Sequence, residues 1–348
     1  MNFFKILKGD IILAKDMVNV YRGELIESIH QGDVAVVNDK GDLLAEFGNS
    51  EMITYWRSAA KPVQALPVVS SGAADKYNLT DKELAIMCAS HSGEDQHVEV
   101  VRGILEKIGL KESDLNCGTH PPLNKKTAKR LCEEGKEPPL IRNNCSGKHA
   151  GMLTMCQYNG WDLEDYPEID HPLQQYLLDV ISEITKYPRE KIYTGVDGCG
   201  VVVFGMPLKN MALAYARLTN PKSLPEKYRE AAIRITRSME KYPELIGGTK
   251  RFNTELLKVG NSEFFAKSGA QAVFCVGHVE KNIGLALKVK DGNSRGVKPA
   301  TIEAMKQLDL LSKKQLEKLQ NYHEYIIKNH HGAKVGKAVA DFKLNINK

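Results

Sequence analysis

The feature that most constrains this chain is where its strand signals fall: two hairpin patterns stand near opposite ends, and most of what lies between them reads as helix. The first is an apolar run at 34–37, the turn cluster Asn38-Asp39-Lys40-Gly41 and a second run at 43–47. The second is the run 269–279, the turn Glu280-Lys281-Asn282 and the run 283–289, followed by a helical stretch at 300–311. From Pro62 to about Ile246 helical periodicity dominates, notably at 82–88, 97–108, 173–184 and 227–242, each flanked by Gly, Pro, Asn or Asp. Strands at both ends around a helical middle call for an α+β fold, one antiparallel sheet closed by the two ends of the chain with helices packed on its faces. Neither a low-complexity linker nor an internal repeat divides the 348 residues. One domain over 1–348 is therefore expected, with a mostly helical region at 62–246 and an N-terminal extension at 1–19.

Charge excludes some functions. Lys and Arg number 48 against 43 Asp and Glu, a net +5, and the lysines are scattered singly rather than gathered into a block or interleaved with aromatics. That is a solvated surface and not a nucleic-acid stripe. Seven unevenly spaced cysteines in a chain this long do not form a disulfide framework, so a reducing cytoplasm is the expected compartment. Lys5, Lys8, Asp10 and Lys15 interrupt the apolar N-terminus before it reaches the length of a secretion signal, and no run of 18 apolar residues offers a membrane span.

The chemistry is concentrated in Arg57-Ser58-Ala59-Ala60-Lys61-Pro62. Residues three apart share a helix face, so the Lys61 amine is expected to reach the Ser58 hydroxyl and take its proton. A proline inside a helix clashes with the carbonyl four residues back, here that of Ser58, so this turn must be the first of its helix or be distorted. Ser58 would then lie near free N–H groups that favour an oxyanion. An amine base must be neutral, and an ordinary lysine titrates near ~10.4, so burial or a second cation has to depress Lys61. Lys267, in Phe264-Phe265-Ala266-Lys267-Ser268-Gly269, is the candidate cation. The competing reading of Ser-x-x-Lys is a cap followed by a surface lysine.

Three further segments are dense in small and polar residues. In Ala89-Ser90-His91-Ser92-Gly93-Glu94-Asp95, Ser92 with Asp95 resembles a capping box. Ser90 remains as a hydroxyl able to relay a proton to a leaving amine, or as another turn serine. His91 is either a site residue or a hydrogen-bonded turn histidine. Asn143-Asn144-Cys145-Ser146-Gly147-Lys148-His149 and Gly195-Val196-Asp197-Gly198-Cys199-Gly200 read as loops that approach a ligand closely. Asp197 could pair with a substrate ammonium group. Cys145 and Cys199, with Lys148 or His149, could hold a soft metal such as zinc, or could be buried inert thiols.

Taken together, the segments 57–67, 89–94, 143–153, 196–200 and 266–270 resemble the bacterial L-asparaginase II family of the Rhizobium type, also called thermolabile or class 3 asparaginases, from about Val20 onward. The resemblance implies a fold similar to serine β-lactamases and glutaminases, hydrolysis of L-asparagine, no organic cofactor and a homodimer. It implies Ser58 as nucleophile, Lys61 as its base, and Ser90 and Lys267 in the same proton network. It also implies zinc at Cys145, Lys148 and Cys199, with substrate at Asp197, Arg57 and His91. Where the family usually continues Gly-Ala-Glu-Gly, this chain has Gly269-Ala270-Gln271-Ala272, which removes a carboxylate near Lys267. Two other readings share the motif: a penicillin-recognising acyl-enzyme, although no Ser-Asp-Asn or Lys-Thr-Gly element is present, and an inactive zinc or ligand sensor on the same scaffold.

Overall fold

The computed structural model describes residues 15–347. The expected α+β architecture is present. Its main antiparallel sheet is built from β1 (Lys15–Arg22), β2 (Leu25–Asn38), β3 (Leu43–Phe47), β7 (Phe264–Gly269), β8 (Val273–His278), β9 (Ile283–Val289), β10 (Glu324–Lys328), β11 (Lys334–Ala340) and β12 (Asn345–Ile346). The order runs β10-β11-β1-β2-β9-β8-β7, with β3 beside the second half of β2 and β12 on β3. A small sheet, β4 (Ile53–Tyr55), β6 (Val202–Pro207) and β5 (Tyr193–Val196) in that order, lies within the stretch that reads as helical. β5 and β6 escape a helix-dominated reading because they are short, and only β6 is fully buried.

Both hairpins form, with differences. Val36 pairs with Ala45 in the first, and Val276 with Leu285 in the second. The run 269–279 is not one strand. It breaks at Gln271 and Ala272, both with left-handed backbone, and the separate strand β7 precedes the break carrying Lys267. Residues 15–19, read as part of an extension, belong to β1, which pairs with β2 and β11; residues 1–14 lie outside the described part.

The four expected helices occur at Asp81–Met87, Asp95–Lys107, Pro172–Thr185 and Glu226–Lys241. Two others sandwich the sheet. A Cβ on Gly284 would sit 1.8 Å from the Ala212 carbonyl, so helix Leu208–Thr219 lies directly on that face. Val289, five residues along the same strand and therefore on the opposite face, packs against Gly296 of helix Ser294–Gln307. Tyr215, from the first of these helices, stacks on Phe265 of β7 at 5.1 Å between centroids and donates its hydroxyl to the Ala59 carbonyl at 2.8 Å. The sheet, this helix and the turn bearing Ser58 are thereby locked together.

All seven cysteines are free thiols. Among the described residues no helix is long and apolar enough to cross a membrane.

Candidate active site

Ser58 sits where β4 ends in a single 3-10 turn, Arg57–Ala60, that feeds helix Lys61–Ser70. Pro62 stands in the first turn of that helix, as its missing N–H requires. Arg57 has φ 52°, a left-handed conformation unfavourable for a residue with a Cβ, directly before the serine. The turn spends its own donors, the Ala59 N–H on the Trp56 carbonyl and the Lys61 N–H on the Ser58 carbonyl, so the free N–H groups expected of a helix start are not found at those two positions. Strand β7 closes against the turn: a Cβ on Gly269 would lie 2.8 Å from the Trp56 carbonyl oxygen, a contact only glycine permits.

The amine of Lys61 does not hydrogen-bond to Ser58. Buried to 1 % exposure, it donates instead to the Ala89 carbonyl, to Ser90 Oγ at 3.1 Å and to Cys145 Sγ at 3.3 Å. Lys267, fully buried, donates to the same Ser90 Oγ at 2.8 Å and to the Ser268 carbonyl at 2.7 Å. Two amines therefore converge on Ser90, and Ser58 and Ser90 both line one cavity of about 560 Å³. The two lysines influence each other through the same buried pocket. Burial first, and the Lys61 charge second, hold the Lys267 amine well below its ordinary value, so Lys267 is the amine driven toward the neutral form.

Asn253 was not distinguished by the sequence. Its side-chain amide clamps β7 around Lys267, donating to the Ala266 carbonyl at 3.0 Å and accepting from the Ser268 N–H at 2.8 Å. Asn143 does the same for the thiol loop, accepting the Cys145 N–H at 2.8 Å and donating to the Cys117 carbonyl at 2.8 Å. Only the folded chain reveals either clamp, because each partner is remote or sits in irregular backbone.

Cys145, Lys148 and Cys199 come together. The Lys148 amine donates to Cys199 Sγ at 3.1 Å. The neighbouring Cys199 thiol, with the charges of Lys61 and Lys148, lowers the Cys145 thiol well below the usual range despite its burial, while Cys199 is pushed up. Asp197 also feels Lys148, and Arg57 grips Asp197 Oδ1 through Nη2 at 2.6 Å and Nε at 3.1 Å. Two sulfurs and an amine are a donor set that fits zinc once their protons leave. With a lysine as the third donor, no group of three His, Cys, Asp or Glu suited to a metal occurs among the described residues.

His91 is set apart from the cavity. It is fully buried; the Gly93 N–H donates to its Nδ1 at 3.2 Å, which leaves the proton on Nε2, 2.9 Å from Ser146 Oγ. Both ring nitrogens are engaged and burial depresses its pKa, the surroundings of a neutral, hydrogen-bonded turn histidine. Nor does Ser92 cap the next helix. Its hydroxyl donates to the Gly247 carbonyl at 2.7 Å, and Glu94 takes the capping position.

An antiparallel sheet between helices, with buried lysines converging on a serine that lines a cavity, is the equipment of a serine-lysine hydrolase. The family model for L-asparaginase II matches residues 18–340, and the chain belongs to that family; membership and site together support an amidohydrolase. No curated protein matches it in sequence at a significant level. Among solved structures it is similar to a β-lactamase from Mycobacterium bovis (11% identity over 84% of this chain and 95% of that one, TM-score 0.41). It is also similar to a β-lactamase from Burkholderia ambifaria (13%, 82% and 95%, TM-score 0.37) and to the protein Mglu (14%, 85% and 65%, TM-score 0.38).

Proposed function

We propose that the chain hydrolyses the side-chain amide of L-asparagine to aspartate and ammonia through an acyl-enzyme. The observation that carries this reading is the buried Lys61–Ser90–Lys267 cluster sharing a cavity with Ser58. Ser58 Oγ attacks the side-chain carbonyl and its proton passes into the cluster, where Lys267 is the neutral acceptor. The C–N bond then breaks, the cluster returns a proton to the departing ammonia, and a β-aspartyl ester remains. Water, deprotonated by the same cluster, hydrolyses the ester and regenerates the serine. The Arg57–Asp197 pair presents a cation and an anion to a zwitterionic amino acid, Arg57 toward the α-carboxylate and Asp197 toward the α-ammonium.

Cys145, Lys148 and Cys199 would hold a zinc ion, which when bound supplies a fixed positive charge beside Asp197. The serine-lysine cluster provides the nucleophile without it. A homodimer is part of the same reading, and light scattering should return twice the mass of one chain; a monomer at assay concentration would count against it.

Ser58→Ala should abolish ammonia release with an unchanged far-UV circular dichroism spectrum, and retained turnover would exclude Ser58 as nucleophile. A second assignment rests on one observation: Ser90, not Ser58, is the hydroxyl that both amines touch. Mass spectrometry of the trapped aspartyl adduct separates the two, since the modified peptide contains either position 58 or position 90.

A further inference from the structure

The cavity that Ser58 and Ser90 share is lined by neither Arg57 nor Asp197. At about 560 Å³ it falls in the range of roughly 300–1,000 Å³ that takes drug-sized ligands, far more than a single small amino acid fills. Its lining contains Lys250, Arg251 and Lys298 and no Asp or Glu. None of these three cations has an acidic partner or a side-chain hydrogen bond among the described residues; the Lys298 amine lies over Tyr325, 4.6 Å from the ring centroid. Burial, then the Arg251 charge, lowers the Lys298 pKa, so the two cations stand within electrostatic reach of each other. Uncompensated like charges around a cavity cost stability unless an anion occupies it. Gln271, where the family usually carries a glutamate, leaves this wall without an acid.

We infer that this cavity is a leaving-group subsite for amides whose departing amine carries a carboxylate, the smallest natural form being a β-aspartyl dipeptide. The inference rests on the amidohydrolase reading above and extends its substrate class. With the aspartyl part held by Arg57 and Asp197, the amide nitrogen and its substituent point into the cavity, and the terminal carboxylate meets Arg251 and Lys298. Ser58 Oγ bonds to the β-carbonyl carbon, the C–N bond breaks, and the amino acid leaves with the proton returned by the cluster. Water then splits the ester to aspartate.

The test offers L-asparagine, β-aspartyl-alanine and β-aspartyl-alaninamide to the full chain and follows released ammonia, alanine and alaninamide by chromatography. The dipeptide acid should be cleaved with a kcat/KM at least about tenfold above that of its uncharged amide, the scale of a charge-assisted contact. The double variant Arg251→Gln/Lys298→Gln should erase that preference while leaving asparagine turnover within about threefold, and Arg251→Lys should keep it. Hydrolysis of asparagine without cleavage of β-aspartyl-alanine overturns the subsite, as does equal cleavage of acid and amide. Cleavage of the dipeptide without asparagine turnover upholds the subsite and removes the asparagine assignment. Inactivity on all three overturns both.

Discussion

Lys267→Met removes a buried amine while keeping most of its side-chain volume, and its consequence for stability can be worked out from the site. Lys267 is fully buried, and burial followed by the Lys61 charge lowers its pKa. In the unfolded chain the same amine titrates near ~10.4. Between the depressed folded value and that unfolded value, the unfolded state holds a proton that the folded state lacks. Stability therefore rises with pH across this window and levels off above it, at up to ~1.4 kcal/mol per pH unit for one proton. The methionine variant has no such proton. The unfolding free energy of the wild type, minus that of the variant, should climb at that rate toward about pH 10. The lost hydrogen bonds to Ser90 and the Ser268 carbonyl offset the variant by roughly 1–3 kcal/mol, and this does not alter the slope. Urea unfolding followed by far-UV circular dichroism from about pH 7 to about pH 10, at constant ionic strength, measures the difference, and ammonia release from asparagine should be lost in the variant. Parallel stability curves would refute the reasoning. They would mean that Lys267 is as protonated in the fold as out of it and cannot serve as the base.

Zinc should copurify with the wild-type chain and be lost from Cys199→Ser, by elemental analysis; removing it with a chelator should lower turnover reversibly, and irreversible total loss in a folded protein would show that the metal generates the nucleophile. Ala272→Gly should stabilise the fold by no more than ~1.5 kcal/mol, because the left-handed backbone at Ala272 costs ~1–2 kcal/mol and a glycine surrenders ~0.5–1 kcal/mol of that through its freer unfolded chain. A fall in Tm would show that the buried Ala272 methyl outweighs the relief.

The parts of this molecule that were legible in advance are those written in local period or local turn chemistry. The apolar runs of β2 and β3 with the turn cluster between them, the four helices and the proline that had to open a helix all lie within a few residues of their cause. Strands β1, β10 and β11 form one edge of the sheet from opposite ends of the chain, and their mutual pairing has no local signature. The site divides the same way. Spacing places Ser58 and Lys61 one turn apart, but a lysine stem is long and flexible, and the destination of the amine depends on what the rest of the fold brings alongside. Here that is Ala89 and Ser90 at the end of one helix and Cys145 at the start of another. The depressed amine of Lys267 has the same origin. Burial and the neighbouring charge lower it, and Lys267 stands on a strand closed by Tyr215 stacking on Phe265 and clamped by Asn253. A motif can name the groups that do acid-base work. Only the packing around them assigns which one donates and which one accepts.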